Sequence, residues 1–194
     1  MIKGQLTDTD RTEIVKYRLE KAYRTYNEAI GSIENGYVET AANRLYYAAY
    51  YAVSALLISY KYEASTHNGV IQMFGKVFLK NNIIDKKYGK TFNQLFSLRL
   101  TGDYEDRHIL DLETEVLPLV EPAKELIDLV SEMAKKQLMW LQKHPSVVRW
   151  ATRITDTTTE GCLGSFIVSD VLVFPSNLFH KNSLSLFQMA HNLE

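Results

Sequence analysis

Between Thr40 and Tyr60 a run of nineteen residues, AANRLYYAAYYAVSALLIS, carries one formal charge, Arg44. A helix over 38–60 that is apolar on every side cannot sit on a surface; it must be the central element of a bundle, covered all round. Its alanines at 41, 42, 48, 49, 52 and 55 let neighbouring helices approach closely. Its tyrosines at 46, 47, 50 and 51 carry hydroxyls that need partners or the surface. The apolar stretch from Leu45 to Ile58 is too short for a membrane span.

The flanking sequence supplies the cover. Over residues 9–34, Ile14, Val15, Leu19, Ala22, Tyr23, Tyr26, Ala29, Ile30 and Ile33 recur at helical spacing, while Arg11, Arg18, Glu20 and Lys21 occupy other faces. Asp10 with Glu13 suits the start of this helix, and Gly31 and Gly36 its end. A short helix is predicted over 70–80, capped by Ser65, Thr66 or Asn68, and another over 86–99. A loop or helix interruption at Gly102 follows. Residues 118–142 give the clearest amphipathic stripe, from Leu119 and Val120 to Leu138 and Leu141, with Pro118 or Pro122 near the first turn. The expected fold is all-α, an up-and-down bundle of four to five helices over residues 1–143.

Residues 144–194 change in texture. They are sparsely charged and rich in threonine, serine and β-branched residues, as in TDTTTEGCLGSFIVSDVLVFPSN. A strand there would lack a partner. The segment is expected to be an irregular C-terminal extension, either a small add-on docked against the bundle or, the preferred reading, a foreign, frame-shifted tail with no fold of its own.

The formal net charge is -1, so any nucleic-acid contact must come from a local site rather than a cationic field. One cysteine, Cys162, excludes an internal disulfide and a thiolate zinc cluster. The polar start of the chain does not resemble a signal peptide, and the expected compartment is the cytoplasm. No His-x3-His or carboxylate cluster suggests a metal, no glycine-rich phosphate loop is present, and no cofactor is expected.

Three elements stand in order. NRLYYAAYY at 43–51 is followed by His67-Asn68-Gly69, then by Arg99 with Asp103-Tyr104 a few residues on. This ordered set, over residues 10–136, is similar to small uncharacterised members of the HEPN domain family. The resemblance implies a helical bundle forming a homodimer, found in toxin–antitoxin and defence modules, often beside a nucleotidyltransferase antitoxin partner. In active members an Arg-x4–6-His motif from each subunit meets across the dimer and cleaves RNA without a metal. This chain departs from that motif. Tyr104, Glu105 and Asp106 occupy the positions where the histidine is due, and His108 lies too far on.

Metal-free RNA cleavage needs a base, an acid and cations facing the phosphorane. Arg99 suits a phosphate clamp because its planar fork donates two parallel hydrogen bonds; otherwise it is a helix-terminal cation paired with Asp103 or Glu105. Arg44 needs a partner, since an unpaired buried guanidinium costs several kcal/mol. That partner is either Asp103, as a structural ion pair, or an anion shared with Arg99. His67 could replace the missing imidazole as a relocated general base, or simply cap or bond a loop. Tyr104 orients a phosphate, accepts a nucleotidyl group from the partner, or packs the loop. The four tyrosines of the central helix are expected in the core and dimer interface, with a base-stacking platform as the alternative. The functional expectation is a HEPN-type toxin–antitoxin component, a metal-independent endoribonuclease. The alternative is a non-catalytic bundle binding a nucleotide or a partner protein.

Overall fold

The computed structural model describes residues 6–104 and 110–143, with the side chains of 102–104 excepted. Within them the chain is an all-α bundle: α1 Asp8–Glu34, α2 Val38–Ser59, α3 His67–Phe74, α4 Lys86–Tyr104 and α5 Leu117–Lys143. A π-helical turn, Gly75–Leu79, extends α3, and another, Leu112–Val116, leads into α5.

The nearly uncharged helix is the centre. α2 packs against α1, α3, α4 and α5, and thirteen of its side chains, from Ala41 to Ser59, are buried. Leu45, Val53 and Leu56 are fully covered, each contributing roughly 1.5–3 kcal/mol. Ala48, Ala49, Ala52 and Ala55 are completely buried. A larger side chain at any of them would force helices apart at about 1–3 kcal/mol. Only three residues join α1 to α2, which obliges the two helices to run antiparallel, and Gly36 takes the left-handed conformation the turn requires (φ 74°). α5 buries Ala123, Leu126, Ile127, Val130, Ala134 and Leu138, the stripe expected from its spacing. The Tyr23 hydroxyl of α1 donates to Asp128 of α5 at 2.9 Å.

Several boundaries differ from the sequence reading, each for a local reason. The α1 cap is Thr7, whose hydroxyl oxygen accepts from the Asp10 backbone N–H at 3.1 Å, so the helix starts a turn ahead of the Asp10–Glu13 pair. Gly31 lies inside α1. Arg11 does not face solvent. It is buried, and its guanidinium donates to the Ile58 carbonyl at 2.9 Å, a second bond beside that from the Lys61 N–H at 3.0 Å, placing its positive charge at the negative end of α2. α3 begins at His67 because Thr66 caps it, accepting from the Gly69 N–H at 3.0 Å.

α4 does not stop at Arg99 but continues through Gly102 to Tyr104. One helical glycine costs only about 1 kcal/mol, less than breaking a helix whose stripe of Leu95 and Leu98 is buried. Pro122 lies within α5. Its missing N–H falls in the second turn, where the one bond lost is that to the Pro118 carbonyl. The expectations for residues 144–194 lie outside the described residues. Among the described residues no helix is long and apolar enough to cross a membrane.

Candidate functional site

Tyr46 is the buried pivot of the candidate site. Its position on the inner face of α2 leaves it with no solvent exposure. Its ring lies nearly parallel to Phe92 of α4, with centroids 6.0 Å apart and 16° between planes, and meets Phe96 at 5.4 Å. The hydroxyl is 2.7 Å from Nδ1 of His67. Burial, with Tyr50 adding to it and Arg99 opposing, raises the Tyr46 pKa above the usual phenol value, so this hydroxyl keeps its proton.

His67 is placed by the Thr66 cap, as the first residue of α3. Its ring is half-buried, 4.5 Å from the Tyr50 ring and 5.7 Å from that of Tyr47. Burial first, and the Arg99 charge second, lower its pKa from the usual value. The imidazole is therefore neutral at physiological pH. The α3 N-terminus acts in the same direction, because its exposed N–H groups repel a cation.

Arg99 comes from α4. Its guanidinium carbon lies 5.8 Å from the Tyr46 ring centroid and 5.6 Å from that of Tyr47, within cation–π range. Three helices thus contribute to one cluster: Tyr46, Tyr47 and Tyr50 from α2, His67 from α3, and Arg99 from α4. A guanidinium and a neutral imidazole against an aromatic wall can bind an oxyanion, with charge from one and a hydrogen bond from the other.

The remaining expected residues fall elsewhere. Arg44 is not a buried lone charge. Its side chain is 42% exposed and ion-pairs with Glu28 of α1 at 3.7 Å. Tyr47, three residues on, shares its side of α2. The backbone of Asp103 and Tyr104 forms the last turn of α4; their side chains, and all of His108, lie outside the described residues. Of the four tyrosines, Tyr46 is core, while Tyr47, Tyr50 and Tyr51 are half-buried, with the Lys21 ammonium 4.3 Å from the Tyr51 ring centroid.

Sequence reasoning missed the role of Tyr46, since four tyrosines in one helix look alike until their faces are known. The signal available was its i+3 spacing from Asn43 and i+4 spacing to Tyr50, which groups it with one face of α2. A separate open groove of about 640 Å³ runs between α4 and α5, lined by Lys90, Asn93, Ser97 and Leu119 among others. It holds none of the expected site residues.

The sequence profile of the HEPN domain matches residues 15–136. The chain is 31% identical over 125 residues to a UPF0332 protein of Thermotoga maritima, covering 64% of this chain and 93% of that one. Two proteins of Methanocaldococcus jannaschii that carry the name "Putative toxin" are also similar. One is 33% identical over 94 residues (46% of this chain, 64% of the relative), the other 28% over 133 residues (69% and 98%).

Proposed function

The chain belongs to the HEPN domain family, and from that premise we propose that it is the toxin-type component of a toxin–antitoxin or related defence module, acting in the cytoplasm as a homodimer on RNA. The observation that carries this reading is the meeting of Arg99 and His67 at the Tyr46 ring. Family membership and the names of the two archaeal relatives support the module.

In metal-independent cleavage the 2′-hydroxyl gives up its proton as its oxygen bonds to phosphorus, and the 5′-oxygen leaves and takes up a proton, giving a 2′,3′-cyclic phosphate and a 5′-hydroxyl. Charge accumulates on the non-bridging oxygens. Arg99 is the group that meets it, with His67 supplying the imidazole beside it, and Tyr104 is the further candidate on the same helix. Arg44, turned toward Glu28, is a peripheral phosphate contact in this scheme. The test uses the full chain with Arg99→Ala, assayed for growth inhibition and for cleavage of single-stranded RNA. Loss of both is expected; unchanged toxicity removes the site.

A second reading is favoured by one observation, the occupation of the Arg-x4–6-His histidine positions by Tyr104, Glu105 and Asp106. On that reading the bundle binds a nucleotide or a nucleotidyltransferase partner through the same cluster and cleaves nothing. Arg99→Ala would then abolish partner or nucleotide binding, in a wild-type protein that leaves RNA intact.

A further inference from the structure

We infer that Tyr46 holds His67 in the neutral tautomer protonated on Nε2, so that His67 serves as an uncharged hydrogen-bond donor to a phosphodiester beside Arg99 and not as a general base. The role in phosphate binding rests on the RNA reading above; the tautomer does not.

The argument starts from the hydroxyl. Tyr46 is wholly buried, and a buried O–H without an acceptor costs about 1–3 kcal/mol. Among the described residues its hydroxyl has one partner, Nδ1 of His67 at 2.7 Å. The other groups around it are the side chains of Tyr47, Tyr50, Phe92 and Phe96 and the guanidinium of Arg99. The phenylalanines and the guanidinium have no acceptor, and among the described residues the two tyrosine hydroxyls make no hydrogen bond to it. If Nδ1 carried the proton and donated to Tyr46, the tyrosine's own hydrogen would be stranded. The hydroxyl therefore donates, Nδ1 accepts, and the single proton of a neutral imidazole resides on Nε2.

The cationic form is disfavoured by three neighbours at once: the half-buried setting, the Arg99 charge and the positive end of α3. A neutral Nε2–H ring cannot accept a proton at Nε2. Nor is it an effective acid, because losing that proton would create an imidazolate. What remains is hydrogen-bond donation. The proton-transfer role expected for His67 from the sequence is thereby replaced by a binding role, and Tyr46 is its positioning residue.

The test begins with the full chain labelled with 15N in its histidine rings. Long-range 1H–15N spectra at neutral pH identify each tautomer, and His67→Gln assigns His67 among the five histidines. A pyrrole-type Nε2 and an accepting Nδ1 are expected; a proton on Nδ1, or on both nitrogens, overturns the inference.

Binding of a short single-stranded RNA at low salt supplies the second arm. His67→Ala should weaken binding about tenfold or more, as loss of a hydrogen bond to a charged group does. His67→Gln, whose amide N–H replaces the Nε2–H donor, should recover most of that loss. Equal loss in both variants overturns the donor role. If Arg99→Ala leaves RNA binding unchanged, the RNA reading fails by itself, and the tautomer is still decided by the spectra.

Discussion

Replacing Tyr46 with phenylalanine separates the two tasks of this side chain. The ring is the packing element. It stacks on Phe92 and meets Phe96 at a tilt, and phenylalanine keeps both contacts and leaves no cavity. The hydroxyl is the polar element, and its loss removes one short hydrogen bond to His67. The net cost of such a bond is about 0.5–1.5 kcal/mol, because water can reach the half-buried imidazole in its place. Tyr46→Ala removes the ring as well, from a site with no solvent exposure, and should cost about 3–5 kcal/mol. Urea unfolding of the full chain measures both. In the phenylalanine variant the His67 pKa should rise, since a donor that favoured the neutral ring has gone; a 1H NMR titration reads this directly. A phenylalanine variant as unstable as the alanine one would show that the hydroxyl holds up the packing. A fall in the His67 pKa would show that Tyr46 accepts the hydrogen bond, and would refute the reasoning.

Thr66→Ala removes the cap that starts α3 at His67 and should cost about 1 kcal/mol by denaturant unfolding; Thr66→Ser should restore it. Arg11→Met removes the charged donor to the Ile58 carbonyl, which retains only the Lys61 N–H, and should destabilise by about 1.5–3 kcal/mol, a loss that thermal melting detects. Arg44→Gln disturbs only a half-exposed pair with Glu28, so the same melt should move by no more than about 1 kcal/mol equivalent; a larger loss would restore the buried-charge reading. The lowered His67 pKa also gives stability a pH dependence. The unfolded chain takes up a proton near pH 6.5 that the folded ring still refuses. The wild type should therefore lose stability relative to His67→Gln as pH falls below about 6.5, levelling off once the folded ring itself titrates. Unfolding curves from pH 7.5 to 5 that stay parallel would contradict this.

The helical architecture was readable before any coordinates. A run such as 41–59, with Arg44 as its one charge, must in water be largely buried, and the 3.6-residue stripes of α1 and α5 state which faces cover it. The expectation of cover on every side fails along the side of Arg44, Tyr47, Tyr50 and Tyr51, which stays half-buried. Periodicity, however, records only that a residue is inside, not which neighbours it meets. Arg11 reads as a solvent-facing charge until α2 ends beside it. Arg44 reads as a buried charge until Glu28 is seen across the α1–α2 seam. Arg99 reads as the end of a helix because a glycine follows at 102, and glycine's local cost is smaller than the packing that overrides it.

The candidate site shows the same division. Arg99 and His67 were recognisable as residue types suited to phosphate, and their order along the chain carried the family resemblance. The third member, Tyr46, was hidden among four tyrosines. Residue identity and spacing determined that the described residues form a helical bundle with a nearly uncharged middle and a few cations and imidazoles to place. Tertiary structure alone decided that a hydroxyl from α2, an imidazole from α3 and a guanidinium from α4 converge. A hydrogen bond 2.7 Å long depends on the relative rotation of packed helices, and nothing in the local sequence of any one helix encodes that rotation.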